Sequence, residues 1–400
     1  MKIITKKFAL VAFATATLLF AACDPEGKNE EKDNTDMAAI NAAAAKVADK
    51  FVERTVGPTY RNLAAKAETL ASQLVAFRDN PTQSNLDAAC ETFLEARSWW
   101  EKSEAFLFGI ATAEGIDPHI DSWPLEATAF NNMMQTPNLM DALGGEDGDL
   151  AAGELHKALL GFHGIEYILF RNGQHRQVAD IDSLSRVYVA AVAGDLRNRC
   201  YQLEVGWLGS AAPAAHVALF EEGGRLEDLS VTVLQGDLSY GDNLRNAGGA
   251  GSTYATKLAA IYAIIDGCKT IADEVGTSKI GKPAGIDAET ADTTYIESPY
   301  SQKSIDDFVD NFISIKNVWL GGIEGNRDEA NSLCTFVKDN LGENMANRVS
   351  AAIDDAITKI DDMPRPFVNN YTSEKCRTAI TACQAVDAIF SEVSQKLEEL

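Results

Sequence analysis

Histidine is scarce in this 400-residue sequence, which has five histidines and none after His216. The H-E-x-x-H helix of zinc peptidases, the G-x-S-x-G elbow of serine hydrolases and the G-x-x-x-x-G-K-[ST] phosphate loop are all missing. Their absence excludes the commonest zinc peptidases, the α/β-hydrolases and the P-loop nucleotidases. A metal site that uses histidine must therefore form in the first half of the chain or take carboxylates from the second half.

Basic residues are also few: 35 lysines and arginines stand against 59 acidic residues, for a formal net charge of −24. So acidic a chain repels the phosphates of nucleic acids and the headgroups of anionic membranes, which argues against both as partners. The seven cysteines include no C-x-x-C pair, the spacing typical of zinc ribbons and thioredoxin-like redox sites. The charge therefore makes neither nucleic acid nor an anionic membrane surface an expected partner, and the cysteines show no paired motif.

The start of the chain resembles a bacterial lipoprotein signal. Lysines precede an apolar run, Phe8–Phe20, that is shorter than the ~20 residues that a membrane-spanning helix needs. The small residues Ala21-Ala22 then lead to Cys23. We therefore predict a signal peptide over residues 1–22 and lipidation of Cys23. The alternative is an ordinary secreted protein with an incidental cysteine.

Residues 23–36 are polar, acidic and free of aromatic side chains. Such a composition cannot bury enough apolar surface to fold, so we predict a disordered tether. Acidic residues directly after the lipidated cysteine resemble the surface-export signal of Bacteroidetes lipoproteins. This resemblance implies a lipid-anchored outer-membrane lipoprotein and leaves open whether its body faces the periplasm or the exterior.

Strand patterns are nearly absent from the rest of the chain, which repeats its apolar residues at helical spacing. We predict an all-α protein with two helical-bundle domains, residues 37–235 and 236–400. The longest stretch without periodicity is residues 276–303. A loop of that length in a compact domain is usually functional or contains unrecognised structure.

The stretch Leu159–Phe170 is largely apolar yet contains His163 and Glu166. We predict a buried helix over about residues 154–170, on which this His and this Glu, three residues apart, meet on one face. A buried carboxylate needs a cation, a hydrogen-bond donor, a metal or a proton. The pair is therefore either hydrogen-bonded within the core or part of a functional site.

Two glycines interrupt the same stretch. Gly161 and Gly164 each weaken a helix by roughly 1 kcal/mol relative to alanine. We therefore expect a neighbouring helix or a ligand to approach closely at this face.

Further polar residues lie upstream. On a helix predicted for residues 85–108, Arg97, Glu101 and Glu104 share a face, either as a solvated ion pair or as part of a site. Asp121 follows on a predicted loop, and loops hold functional residues more often than helices do.

Four stretches of the sequence resemble the imelysin family. The first is the G-x-H-x-x-E motif at Gly161-Phe-His163-Gly-Ile-Glu166. The others are Arg97-Ser-Trp-Trp-Glu101 continued to Gly109, Asp121-Ser-Trp-Pro124, and Glu297-Ser-Pro-Tyr-Ser301 continued to Asn311. The six-residue motif is short, but the ordered set extends over nearly all of the mature chain.

The resemblance implies two helical domains, each like a four-helix bundle, with the functional residues at a groove between them. It also implies a cell-envelope protein and a link to iron uptake, which many members of the family share. The family is named after an insulin-cleaving membrane peptidase and is filed as a metallopeptidase. The site residues carried over are Gly161, His163 and Glu166, and the further candidates are Gly164, Glu101, Asp121 and Ser301.

We therefore predict a cell-envelope lipoprotein that binds iron, or an iron-bearing ligand, at the groove and serves a transport partner in the outer membrane. His163 would supply an imidazole nitrogen and Glu166 an oxygen. Glu101 or Asp121 would complete the shell, and this donor set suits iron or zinc.

Two alternatives remain open. One is a zinc-dependent peptidase, in which His163 and Glu166 bind zinc beside an open position for water and Glu101 or Glu104 acts as the general base. H-x-x-E resembles the two-ligand motif of zinc carboxypeptidases, but those have a further histidine downstream and this chain has none after His216. The other is a non-catalytic, partner-binding lipoprotein in which a buried His163–Glu166 hydrogen bond stabilises the fold.

Overall fold

The structure is a computed structural model that describes residues 29–233, 237–285 and 291–400. Regular structure in these ranges is almost entirely helical, which confirms the all-α prediction. Residues Ile40–Leu400 form one compact unit. Among the described residues, no helix combines the length and the apolar character that crossing a bilayer requires.

Three sequence-based predictions concern residues outside these ranges. The signal peptide and Cys23 precede the first described residue. The domain boundary between residues 235 and 236 also falls where the structure gives no description. All three stay predictions.

The helices before residue 234 build the first half of the unit. They are α1 (Asn29–Lys50), α2 (Gly57–Asp79), α3 (Gln83–Glu101), α4 (Ile110–Ala113), α5 (Asp117–Ile120), α6 (Ala127–Met134), α7 (Pro137–Leu143), α8 (Gly148–Gly153), α9 (Gly161–Leu169), α10 (Ser183–Leu208) and α11 (Ala214–Val217). A π-helical turn at Phe51–Val56 joins α1 to α2, and short 3₁₀ turns lie at Glu104–Phe106, Lys157–Leu159, Val178–Asp180 and Gly209–Ala211. Between α9 and α10, the two-residue strands β1 (Phe170–Arg171) and β2 (Gln174–His175) pair antiparallel, with Phe170 opposite His175.

The helices after residue 236 build the second half. They are α12 (Tyr240–Arg245), α13 (Lys257–Glu274), α14 (Gly281–Ala284), α15 (Ser304–Trp319), α16 (Leu333–Leu341), α17 (Glu343–Asp361), α18 (Phe367–Asn370) and α19 (Glu374–Glu398). A π-helical turn follows α13 at Val275–Lys279, and 3₁₀ turns lie at Thr293–Tyr295 and Glu329–Asn331.

Packing between long helices of both halves builds one continuous hydrophobic core. In the first half, α2 packs against α3 and α10, and in the second half α19 packs against α13 and α17. Edge-on aromatic pairs lie within this core, such as Tyr60 with Phe106 and Trp319 with Phe390. Helix α15 also packs against α3. This contact brings polar residues of the two halves together and so positions the site described below.

Helix α9 is shorter than predicted. The sequence favoured a helix over about residues 154–170, but α9 spans Gly161–Leu169 and a separate 3₁₀ turn precedes it. Leu160 is extended, and Gly161 has a φ of +65°. A Cβ atom at Gly161 would lie 2.0 Å from the carbonyl oxygen of Ile120. The helix therefore begins where a neighbouring backbone forces an abrupt change of direction.

The other glycine of this stretch also accommodates a neighbour. A Cβ atom at Gly164 would lie 2.3 Å from the hydroxyl of Tyr188, which donates a hydrogen bond of 2.7 Å to the carbonyl of Leu159. The close approach expected from the two glycines is therefore that of protein groups, from α10 and from the end of α5.

Three further segments differ from the sequence-based expectation. The helix predicted for residues 85–108 ends at Glu101, so that Glu104 lies on a separate 3₁₀ turn. The non-periodic stretch 276–303 contains short helical elements. Residues 29–36, the second part of the predicted tether, form the start of α1, because an Ala-rich helix is extended more easily than a new one is nucleated.

Candidate functional site

Helix α3 places a buried arginine at the centre of the site. Arg97 is 3% exposed, and its guanidinium contacts four carboxylates. Nη1 bonds Asp121 Oδ1, Nη2 lies 2.6 Å from both Glu101 Oε1 and Glu297 Oε1, and Nε lies 3.8 Å from Asp307 Oδ2. The Arg97–Glu101 pair expected from the helical spacing therefore exists, but it is buried, so the interpretation as a solvated face was wrong.

Asp121 directly follows α5 and is held on several sides. Besides contacting the guanidinium, Oδ1 lies 2.9 Å from Nε2 of His163, and Oδ2 accepts a hydrogen bond of 2.9 Å from Trp100 Nε1. Because Gly161 has no Cβ atom, the carbonyl of Ile120 can lie against the start of α9, and Asp121 is the next residue. The first glycine of the G-x-H-x-x-E motif thus contributes by placing Asp121 beside His163.

His163 lies near the start of α9 and is 3% exposed. Its Nε2 atom is the one near Asp121, and its Nδ1 atom lies 3.8 Å from Glu166 Oε2. Burial opposes the charged imidazolium, but the adjacent Asp121 carboxylate outweighs burial and raises the pKa of His163 to about 9. Without a metal, this side chain is therefore protonated at neutral pH.

Glu166 is held by the second half of the chain rather than by His163. Its Oε1 atom accepts hydrogen bonds from the backbone N–H groups of Tyr300 (3.2 Å) and Ser301 (2.7 Å) and from the Ser301 hydroxyl (2.6 Å). The 3.8 Å separation from the imidazole is too long for a hydrogen bond. The Oε2 atom is buried and has no hydrogen-bond partner among the described residues. The expected direct His163–Glu166 hydrogen bond is therefore not formed.

The second half also supplies a buried lysine. Lys279, at the end of the π-helical turn after α13, lies 3.2 Å from Glu297 Oε1 and within 3.8 Å of the carboxylates of Glu101 and Glu104. Asn311, on α15, donates a hydrogen bond of 2.5 Å to Glu101 Oε2. No sequence pattern marks Lys279, because it lies in the stretch without periodicity, and Glu297 and Asn311 stand out in the sequence only as parts of a motif.

Carboxylates outnumber the cations that contact them in this part of the described chain. The carboxylates are Glu101, Glu104, Asp121, Glu166, Glu297 and Asp307, and the cations are Arg97, Lys279 and protonated His163. We call these nine residues the Arg97 cluster.

The pKa values of the carboxyl groups in the Arg97 cluster are shifted in both directions. Burial raises the pKa of Glu101 and Glu104 well above the usual range, and it raises that of Asp307 to about 7. Asp121 differs: although burial opposes its charge, Arg97 and His163 hold its pKa well below the usual range. The cluster therefore favours protons on some carboxyl groups, and a bound cation would take their place.

Two sets of residues among those described could hold a metal ion, and within each set the potential ligand atoms lie within 4.8 Å of one another. One set is Asp121, His163 and Glu297, and the other is Glu101, Glu104 and Asp121. The structure thus brings Asp121 together with both His163 and Glu101, as the predicted ligand set requires. Glu166 belongs to neither set, since Ser301 and its neighbouring amide bind one of its oxygens.

An acidic chamber of about 220 Å³ opens beside Asp121. Its carboxylates are Glu104, Asp117, Asp121, Glu274 and Glu297. Burial raises the pKa of Asp117 to about 7. Lys279 and Lys282 also line the chamber, and the latter lies over the ring of Tyr295 at 3.7 Å from its centroid.

A second cavity, an open groove of about 510 Å³, lies on the His163 side. His163 and Glu166 line it, together with Trp123, Tyr300 and Tyr371. We call it the aromatic groove. Trp123 lines both cavities, and its ring centroid lies 5.2 Å from that of the imidazole. The walls of the groove come from both halves of the chain.

Known proteins resemble this chain in sequence and in fold. The family model for imelysin, peptidase M75, matches residues 56–393. Iron-regulated protein A of Synechococcus elongatus is 26% identical over 347 residues, which are 86% of this chain and 83% of that protein. A crystal structure from Parabacteroides distasonis, of a protein described as an iron-regulated protein A precursor, is 25% identical with a TM-score of 0.73, over 89% of this chain and 95% of that one.

A second crystal structure, of an imelysin-like protein from Psychrobacter arcticum, is 12% identical with a TM-score of 0.60. It covers 89% of this chain and 93% of that one, and at this identity it supports the fold alone. The family match extends over most of the chain. This protein therefore belongs to the imelysin family.

Proposed function

We propose that this protein binds iron as its cargo, at Asp121, His163 and Glu297, in an iron-related role at the cell envelope. The iron-related role is supported by two relatives whose names describe them as iron-regulated. The observation that carries the site is the convergence of one imidazole and two carboxylates within 4.8 Å. An imidazole with carboxylates is a donor set that suits iron as well as zinc.

The residues fit a cation because a buried ligand atom is left without a partner. Glu297 Oε2 is buried and makes no hydrogen bond to the described residues. A buried polar atom without a partner costs about 1–3 kcal/mol, and coordination to a metal would remove that cost.

Arg97 limits how the metal can bind. Its guanidinium already contacts Asp121 Oδ1 and Glu297 Oε1. We therefore expect the metal to take the remaining oxygen of Glu297 and to share Asp121 with the arginine. The arrangement would give moderate affinity and reversible binding, which suits cargo that must be released.

Metal binding should also release a proton. Only the neutral imidazole can ligate a metal, and His163 is protonated at neutral pH because of its raised pKa. Iron affinity should therefore rise with pH until about pH 9, the pKa of His163 in the metal-free protein.

We favour binding over peptide hydrolysis because of the contacts of the predicted general bases. Glu101 is buried and contacts Arg97, Lys279 and Asn311, and Glu104 lies 3.8 Å from Lys279. A general base must instead reach the attacking water, and these contacts occupy the oxygens of Glu101.

We also propose that Cys23 carries a lipid and anchors the protein in the outer membrane, where it serves a transport partner. This proposal rests on the sequence pattern of the first 23 residues. Mass spectrometry of the N-terminal peptide from a bacterial membrane fraction tests it, because an unmodified Cys23 would contradict it.

The metal proposal is tested by titrating the metal-free mature protein with iron(II) in the absence of oxygen, with zinc in parallel. Bound metal is measured by elemental analysis, and thermal unfolding is followed with and without metal. We expect about one iron per chain and stabilisation by roughly 3 kcal/mol at a hundredfold excess over Kd. His163→Gln and Asp121→Asn should abolish both effects.

His175→Gln is the matched control. His175 lies 3.1 Å from Asp87, so it also forms a histidine–carboxylate pair, but outside the Arg97 cluster. This variant should bind iron as the wild type does. Undiminished binding by H163Q, or loss of binding only in H175Q, would contradict the proposal.

A further inference from the structure

The aromatic groove has the composition of an organic-ligand site rather than of a metal site. Partly exposed rings of Trp123, Tyr300 and Tyr371 line it. The remaining lining is largely apolar and includes Leu125 and Ile296. Pockets of about 300–1,000 Å³ with apolar and aromatic walls and a few polar groups are typical of small-molecule sites.

One residue that lines the groove, Glu166, has a buried carboxylate oxygen without a hydrogen-bond partner among the described residues. The side chain is 1% exposed, and the oxygen in question is Oε2. Its other oxygen is fixed by Tyr300 and Ser301. The carboxylate is therefore held rigidly with one acceptor free, and a ligand hydrogen-bond donor would complete it.

This chemistry restricts the ligand. A carboxylate accepts hydrogen bonds and repels anions, so inorganic phosphate and carboxylates are poor candidates at this point of the groove. A planar aromatic ring can stack on the tryptophan and tyrosine rings. A hydroxyl or N–H group on that ring can donate to the free oxygen, and hydrogen bonds to charged acceptors are the stronger ones.

We propose that the aromatic groove binds a small planar aromatic molecule through ring stacking and through a hydroxyl or N–H donor to Oε2 of Glu166. The ligand needs no bound iron, because its hydrogen bond and its stacking use neither Asp121 nor Glu297. The groove shares Trp123 with the acidic chamber and is also lined by His163, so an occupant of the groove lies next to the iron site.

The test uses two probes that differ in one hydrogen-bond donor, 2-naphthol and 2-methoxynaphthalene. Binding to the metal-free protein, kept free of metal by a chelator, is measured by calorimetry and by probe fluorescence. We expect 2-naphthol to bind at least tenfold more tightly, the factor expected for one hydrogen bond to a carboxylate. Equal affinity for the two probes, or no binding of 2-naphthol, would overturn the proposal.

Glu166→Gln tests the acceptor directly. The amide can keep the hydrogen bonds from Tyr300 and Ser301 through its oxygen, which leaves its NH₂ group, a donor, facing the groove. The preference for 2-naphthol over its methyl ether should therefore shrink to less than threefold or reverse. An unchanged preference in E166Q would show that Glu166 does not contact the ligand.

Tyr371→Leu tests the stacking wall and keeps the proposal falsifiable if E166Q is unstable. It should weaken both probes by a similar factor. Tyr262→Leu, a partly exposed tyrosine on α13 that does not line the groove, is the control and should leave both affinities unchanged. Failure of iron to bind while 2-naphthol still binds would reject the iron site and leave the groove proposal standing.

Discussion

Two clusters of charged side chains in this molecule both combine arginines with carboxylates, but they differ in whether the carboxylate oxygens find hydrogen-bond partners. In the first half, Asp149 accepts hydrogen bonds from Arg197, Arg225 and Asn198, and these residues form the Asp149 cluster. Both carboxylate oxygens are paired, and although burial opposes its charge, the hydrogen bonds from Arg225 and Asn198 lower the pKa of Asp149 to about 2. In the Arg97 cluster, Glu166 Oε2 and Glu297 Oε2 are buried without a hydrogen-bond partner among the described residues, and pKa values are raised as well as lowered.

The difference shows that the number of charges in one place does not by itself mark a functional site. The Asp149 cluster satisfies its own carboxylate and lies at the edge of solvent, which is the pattern of a structural ion-pair network. The Arg97 cluster buries more carboxylates than its cations neutralise and so retains capacity for a further cation. Strongly perturbed titratable groups in a cleft are candidates for function for this reason.

Removal of the central arginine should give the largest effect that separates the two clusters. Arg97→Met leaves four contacting carboxylates without their buried counter-charge, so we expect a loss of about 3–5 kcal/mol in the free energy of unfolding. Arg225→Met removes a side chain that is 36% exposed, and solvent screening should limit its cost to less than about 1 kcal/mol. Chemical denaturation measures the free energy of unfolding of both variants. Similar losses in the two would contradict the distinction drawn between the two clusters.

The second largest expected effect is a pH dependence of the free energy of unfolding, caused by the titration of His163. Its pKa is raised from 6.5 to about 9 in the folded protein. The stabilisation from its charge is therefore complete below about pH 6.5 and is lost as pH rises through 9. This change should lower the free energy of unfolding by ~3 kcal/mol over that interval.

The pH series is run on metal-free protein, with His163→Gln and the surface control His175→Gln. The decline between pH 6.5 and 9 should disappear in H163Q and persist in H175Q. A decline of the same size in all three proteins would mean that another group titrates and that His163 is not the buried cation described above.

The smallest effect concerns the contact that joins the motif to the second half of the chain. Ser301→Ala removes the hydroxyl that donates to Glu166 Oε1 but leaves the two backbone donors in place. We expect a loss of about 1–2 kcal/mol in the free energy of unfolding. Ser230→Ala, which removes a hydroxyl from a long hydrogen bond of 3.4 Å at the surface, is the control and should change little. Equal losses of unfolding free energy in the two variants would mean that the Ser301 hydroxyl stabilises the fold no more than a long surface hydrogen bond does.

Sequence reasoning succeeded where the structure depends on local periodicity. In α15 (Ser304–Trp319), for example, the apolar residues Ile305, Phe308 and Phe312 recur at helical spacing and are buried, as the all-α prediction requires. The ordered motifs also contain residues that the fold brings into contact. Asp121 contacts His163, and Ser301 binds Glu166, although 40 or more residues separate each pair in sequence.

Sequence reasoning failed where a tertiary contact overrides the local pattern. The apolar residues before Gly161 predict a longer α9, but the carbonyl of Ile120 occupies the space beside this glycine. The sequence shows that the glycine is costly in a helix and does not show which backbone approaches it. Likewise, Lys279 lies in a stretch without periodicity, so only the packing of the π-helical turn reveals that it enters the site.

The most direct test of the iron site is anomalous diffraction from crystals exposed to iron(II) without oxygen, measured on both sides of the iron absorption edge. The account predicts an iron peak in contact with the side chains of Asp121 and His163, absent in crystals of His163→Gln. A peak found only at solvent-exposed carboxylates such as those near Asp149, or no peak at all with iron in excess, would contradict it.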